Sequence, residues 1–163
     1  MNSNGGIPFP NVHLSRIIGL MEILSSHRGS MDMARLSKDF LLDLDELLPV
    51  VDAAELLGFV RADRGDLKLT NEGALFLTMN PKNKKSYLRR KLVELEVFRE
   101  ALEIVGDAGG CMPRQSFLSK LALKYPFATG ELVDWIIYYG RVALLLRYDS
   151  QLEMIWLEGS RPR

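Results

Sequence analysis

At 163 residues and 18.5 kDa, with 47% hydrophobic and 26% charged residues, the chain suffices for one ordinary domain or two small ones and can bury a core. Twenty-one basic residues against 21 acidic ones remove the bulk charge that drives nonspecific nucleic-acid binding. The lone Cys111 excludes an internal disulfide, no apolar run reaches the ~20 residues of a membrane span, and the opening Met1-Asn2-Ser3-Asn4-Gly5-Gly6 lacks the regions of a signal peptide, so a soluble cytoplasmic protein is expected.

Residues 1–11, with Gly5-Gly6, Pro8 and Pro10, read as a flexible arm that starts to pack at Ile7 or Phe9. Asn11 is placed to cap a helix from Val12 to Ser26, whose Leu14, Ile17, Ile18, Met21 and Leu24 form one stripe. After His27-Arg28-Gly29, Met31 predicts a short strand, and Asp32 is placed to cap a second helix, Met33 to Phe40, with Leu36 and Phe40 inward. A third helix carries Leu48, Val51, Ala54 and Leu57 at helical spacing, with Leu47 and Val50 beside them, and Gly58 stops it. A start at Asp45 or Glu46, with Asp45 as N-cap, puts Pro49 at the fourth helical position, where its missing N–H is expected to lose no intrahelical partner. The period then changes to two: Phe59 to Asp63 and Asp66 to Thr70 flank Arg64-Gly65, which predicts a hairpin with Leu67 and Leu69 on its buried side. Thr70 or Asn71 opens a short helix with Leu75, Phe76 and Met79, which Asn80-Pro81 closes.

A second cycle follows. Lys84 to Val105 reads as one long helix with Leu88, Leu92, Leu95, Phe98, Leu102 and Val105 inward. Gly109-Gly110 breaks it, and Cys111-Met112 predicts a strand. A helix from Pro113 or Arg114 runs through Phe117, Leu118, Leu121 and Leu123 to Tyr125. Thr129 caps the next, which carries Leu132, Trp135, Ile136 and Tyr139, with Gly140 as an internal weak point. A last hairpin pairs Leu144–Tyr148 with Leu152–Leu157. Arg61-Ala62-Asp63 before the first hairpin turn is matched by Arg147-Tyr148-Asp149 before the second, and Ser37-Lys38 by Ser119-Lys120. Together with the repeated element order, this predicts an internal duplication. The expected fold class is mainly α with short β-hairpins, as tandem winged helix-turn-helix domains: residues 12–80 the first, 81–158 the second, and 159–163 a tail.

With the elements placed, five segments resemble the AAA-associated C-terminal domain. They are Ile17-Ile18-Gly19-Leu20-Met21-Glu22-Ile23-Leu24, Glu46-Leu47-Leu48-Pro49, Ala53-Ala54-Glu55-Leu56-Leu57-Gly58-Phe59-Val60, Gly65-Asp66-Leu67-Lys68-Leu69-Thr70, and Tyr139-Gly140-Arg141 with Tyr148-Asp149. That family is found appended to ATPase subunits of nitrate, sulfonate and taurine-type ABC transporters and as stand-alone chains. The resemblance implies an accessory or regulatory module with a protein partner, such as a transporter ATPase, and supplies no catalytic residue. The 163 residues hold no Gly-x-x-x-x-Gly-Lys-Ser/Thr loop, so they lack the phosphate cradle of the ATPase itself.

DNA recognition is the rival expectation that a winged helix raises, and the charges argue against it. Asp45, Glu46, Asp52 and Glu55 decorate the third helix without a lysine or arginine among them, whereas groove readers need cationic phosphate contacts. These four carboxylates, with Tyr138 and Tyr139, are candidate protein-interface residues. One basic run, Lys82, Lys84, Lys85, Arg89, Arg90 and Lys91, with the wing arginines Arg61 and Arg64, is the candidate contact for an anionic partner or nucleic acid; the bland reading is a solvated helix face. Trp135 and Trp156 are expected in the second core, and the long helical stripe makes a homodimer an expectation. His13 and His27 lie too far apart for a metal pair, Cys111 reads as a small hydrophobe at a strand edge, and no nucleophile has a base beside it. No enzyme, metal or cofactor is expected.

Overall fold

The computed structural model describes residues 4–160, so residues 1–3 of the expected arm and 161–163 of the expected tail lie outside the described residues. The chain is mainly α-helical and carries two small three-stranded antiparallel sheets. It divides into two compact units, Pro10–Lys84 and the residues from Lys85 on joined by those up to Phe9.

The first unit runs α1 (Leu14–Ser26), β1 (Ser30–Asp32), α2 (Met33–Asp39), α3 (Leu44–Leu56), β2 (Val60–Asp63), β3 (Asp66–Leu69), α4 (Asn71–Thr78). Ile17, Leu20, Met21 and Leu24 bury one face of α1, against which α3, α4 and β3 pack. Gly29, at φ 84°, takes the left-handed turn that ends α1: its N–H reaches Leu24 O at 2.7 Å and its own carbonyl accepts from Leu69 N–H at 2.7 Å. The sheet order is β1-β3-β2, with Leu67 opposite both Met31 and Ala62. Arg64 and Gly65, both at positive φ, make the two-residue turn, and Gly65 O accepts from Met33 N–H at 2.9 Å. The Asp32 carboxylate accepts from Arg35 N–H at 2.9 Å, and the Thr70 hydroxyl from Gly73 N–H at 2.9 Å, so each caps its helix.

Three local expectations are corrected here. The first helix starts at Leu14, with His13 rather than Asn11 at its N-cap. The third starts at Leu44 after Asp43, which takes the N–H groups of Glu46 and Leu47 on its carbonyl, both at 3.0 Å. Pro49 therefore sits inside the helix, and the carbonyl deprived of its N–H partner belongs to Asp45, an exposed residue that water can reach. Finally, Phe40 and Leu48 face outward; Leu47, Val50, Val51, Ala53, Ala54 and Leu57 are the buried set.

The second unit repeats this arrangement with α6 (Glu96–Asp107), β4 (Cys111–Pro113), α7 (Arg114–Lys124), α8 (Gly130–Val142), β5 (Leu146–Asp149) and β6 (Met154–Leu157), in the sheet order β4-β6-β5. The backbone bonds recur too. Gly110 N–H reaches Val105 O at 3.0 Å and Gly110 O accepts from Leu157 N–H at 2.8 Å, as Gly29 does between Leu24 and Leu69. Arg114 N–H bonds Glu153 O at 2.8 Å, as Met33 bonds Gly65. The second hairpin turn is longer, and Asp149 Oδ1 gathers the N–H groups of Gln151 and Leu152.

The single long helix predicted ahead of this unit is two helices, α5 (Pro81–Glu94) and α6, parted at Leu95, whose backbone is extended at φ −82°, ψ 121°. Arg99 Nη1 donates to Val93 O at 2.8 Å and Glu94 O at 3.0 Å, supplying partners for the last carbonyls of α5. Helix α5 also begins earlier than Lys84: Asn80 Oδ1 accepts from Asn83 N–H at 2.8 Å and Pro81 takes the first helical position, so Asn80-Pro81 opens a helix as well as closing one.

Phe98, Phe117 and Tyr139 fill the core of this unit, with Phe9 stacked on Phe98 at 6.1 Å and edge-on to Tyr139 at 5.9 Å. Ile7 and Phe9 are buried. Trp135 and Trp156, expected in this core, are only half-buried, and Leu123 faces out. Gly140 has a packing reason: a Cβ there would stand 2.6 Å from Leu146 Cδ1 and 2.8 Å from its Cβ. Gly140→Ala should therefore destabilise the protein by roughly 1–3 kcal/mol, despite the ~1 kcal/mol that alanine gains in helix propensity. Urea unfolding checks this, and the Gly140→Ala, Leu146→Ala double variant should lose less than the two single losses together.

Candidate functional site

Two surfaces follow from the charges, the outer face of α3 and the exposed side of α5. On α3, burial of Leu47, Val50, Val51 and Ala54 fixes the helix rotation, which leaves Asp45, Glu46, Asp52 and Glu55 exposed. At about 100° per residue, Asp45, Asp52 and Glu55 share one stripe with Leu44 and Leu48, while Glu46 stands to its side. No cation interrupts the stripe, because the sequence holds no lysine or arginine between Lys38 and Arg61. Asp39 at the end of α2 is bound to Arg35 at 3.3 Å.

The basic run on α5 does not form one face. Lys84 Nζ lies 5.6 Å from the centre of the Phe76 ring, and Lys91 Nζ 5.7 Å from that of Tyr87 and 3.7 Å from Glu94. Arg89 Nε donates to Ala143 O at 2.6 Å, so its guanidinium helps hold the end of α8. Lys82, Lys85 and Arg90 remain exposed, with Arg90 Cζ over the same Tyr87 ring, 5.6 Å from its centre. Arg61 and Arg64 are exposed beside Asp63 and Asp66, and Asp63 is bound to Lys68 at 3.4 Å. Four of the six cations thus have a partner in the fold, Arg89 a carbonyl and Lys84, Arg90 and Lys91 an aromatic ring, a distinction that a run of like charges in a sequence does not display.

On α8 the adjacent tyrosines separate as helical geometry demands. Tyr139 is fully buried and so is no surface residue, whereas Tyr138 is half-buried with Trp135 edge-on at 5.6 Å. The α8 carboxylates also differ from those of α3: Asp134 is bound to Arg114 at 2.7 Å, and Arg141 follows near the helix end.

Among the described residues no group of three or more His, Cys, Asp and Glu is placed to hold a metal ion. His27 Nδ1 lies 2.9 Å from Ile23 O at the end of α1, and Cys111 is half-buried opposite Trp156 in the sheet. A groove of about 480 Å3 between α6 and α7 is crossed by Lys124, which binds Glu96 at 3.1 Å and Glu100 at 3.3 Å. Those hydrogen bonds, Glu96 first, raise the Lys124 ammonium above its usual range. No helix among the described residues is long and apolar enough to cross a membrane.

Burial, with a smaller contribution from Tyr138, pushes the Tyr139 phenol well above its ordinary value. A buried phenol that stays protonated while the unfolded chain ionises near pH 10 contributes stability that is complete below pH 10 and lost above it. Urea unfolding at stepped pH should show stability falling above about pH 10, and Tyr139→Phe should remove most of that slope. Burial raises the Tyr125 phenol in the same direction.

A family model for the C-terminal AAA-associated domain matches residues 34–149, from α2 to the end of β5. No curated protein and no solved structure matches the chain.

Proposed function

We propose, since the chain belongs to the C-terminal AAA-associated domain family, that it is a cytoplasmic, non-enzymatic regulatory module that acts through protein contacts, with a transporter-type ATPase subunit as its partner. Its scaffold is a pair of winged helix-turn-helix domains related by duplication. The repeated order of helix, strand, two helices and hairpin, and the matched glycine and hairpin bonds of the two units, support that reading. The observation that carries the functional part is the third helix. In a DNA-binding winged helix this element enters the major groove; here its outward face offers carboxylates and leucines and no cation. Each of those carboxylates brought near phosphate would weaken binding instead of releasing counterions.

Affinity capture from native lysate with the intact chain, combined with gel shifts on genomic fragments, tests this. The expected result is recovery of an ABC-type ATPase subunit and no shift at moderate salt. Shifted DNA that survives moderate salt, with no ATPase recovered, would reverse the assignment. A weak shift at low salt that disappears in the Lys82→Ala, Lys85→Ala, Arg90→Ala variant marks simple phosphate attraction and leaves the protein-contact reading standing. These three are the positions to change, because replacing Arg89 would also remove its bond to Ala143.

A further inference from the structure

We infer that the outer face of α3, with the turn before it, is the docking surface for an amphipathic helix of a protein partner whose apolar stripe is flanked by lysines or arginines; this rests on the protein-contact reading and adds to it the place and chemistry of the contact. Four large apolar side chains stand in solvent within nine positions: Phe40 (40% exposed), Leu41 (92%), Leu44 (51%) and Leu48 (42%). Scattered exposed leucines need no explanation, but a concentration of this kind marks a contact surface. Leu44 and Leu48 are one turn apart, and Asp45, Asp52 and Glu55 fall within about 100° of the same circumference. The face therefore carries exposed leucines at Leu44 and Leu48, with Asp45 beside the first and Asp52 and Glu55 beyond the second.

Leu41 adds an observation of its own. It holds a backbone φ of 51° with its side chain almost wholly in solvent, a conformation that glycine or asparagine takes at lower cost. Packing within the unit does not account for a leucine there.

The occupant follows from complementarity. An α3 face from a second copy would set carboxylates against carboxylates, and nucleic acid would set phosphates against them; both repel. A helix with apolar residues at i, i+4 and i+7 answers the leucines, and cations on its flanks answer Asp45, Asp52 and Glu55. Those carboxylates lie about 10 and 15 Å apart along the axis, measured from Asp45, which places the partner's cations two to three turns apart.

A fluorescein-labelled leucine–lysine peptide of about five helical turns is the probe. A scrambled peptide of the same composition and a leucine–glutamate peptide are its controls. In fluorescence anisotropy the ordered leucine–lysine peptide should bind about tenfold tighter than either control, and the Leu41→Ser, Leu48→Ser variant should lose about tenfold in affinity. The Asp45→Lys, Asp52→Lys, Glu55→Lys variant should invert the preference toward the leucine–glutamate peptide. This arm stands even if the serine variant unfolds, and thermal melts by circular dichroism identify which variants are folded. Equal binding of ordered and scrambled lysine peptides overturns the inference, as does binding that both folded variants leave unchanged. Dimerisation of the free chain that the serine variant abolishes also overturns it, in favour of a second copy. The functional reading fails separately. Capture of an ATPase subunit by the serine variant as well as by the native chain sinks the docking face alone, whereas no capture by the native chain sinks the reading beneath it.

Discussion

Each unit depends on a left-handed glycine at the end of its leading helix. Gly29 and Gly110 close the helix through their N–H groups and give their carbonyls to the last strand of the sheet, to Leu69 in one unit and Leu157 in the other. Following Arg28 and Gly109, which also take a positive φ, each glycine thus ties the end of the helix to the hairpin that lies across it. A residue with a Cβ would pay for the left-handed φ of 84° or 96° at a point where two hydrogen bonds leave the backbone no room to relax. With the hairpin held there, α3 and α8 bury one face each, and their opposite faces are left to solvent.

Much of this arrangement was legible because the signals are local. Apolar stripes at helical spacing placed α1, Asp32, Thr70 and Thr129 announced their caps, and Arg64-Gly65 between alternating leucines announced a hairpin. The hydrophobic pattern continues through Leu95 without a glycine or proline, so nothing nearby warns of the break. It is stabilised by a guanidinium four residues downstream that reaches back to the carbonyls of Val93 and Glu94. Pro49 misled in the opposite direction: a proline that is costly in a buried helix is tolerable where the carbonyl it orphans belongs to an exposed residue.

The surfaces were less legible than the core, and for a different reason. Composition shows which residues carry charge but not which charges are already engaged. Lys84, Arg89 and Lys91 look like Lys82 and Lys85 in the sequence. Only the fold shows that the Arg89 guanidinium serves a carbonyl of Ala143 and that Lys84 and Lys91 lie against aromatic rings. For the carboxylates of α3 the sequence was a better guide, because no cation lies within reach along the helix to neutralise them.

The two halves therefore share a backbone plan and differ in what they present. On α8 the carboxylate of Asp134 is bound to Arg114, and Thr129 caps the helix through its side chain. On α3 Asp43 occupies the cap position without a side-chain bond, and Asp52 and Glu55 stand in solvent beside exposed leucines. Surface charge pairs contribute little to stability, so folding does not require α3 to stay acidic or α8 to be neutralised. A scaffold that keeps its glycine turns and hairpin bonds in both units thus accommodates different charge on its two corresponding helices. On α8 Asp134 is paired with Arg114, whereas on α3 the carboxylates stand exposed with no lysine or arginine along the helix.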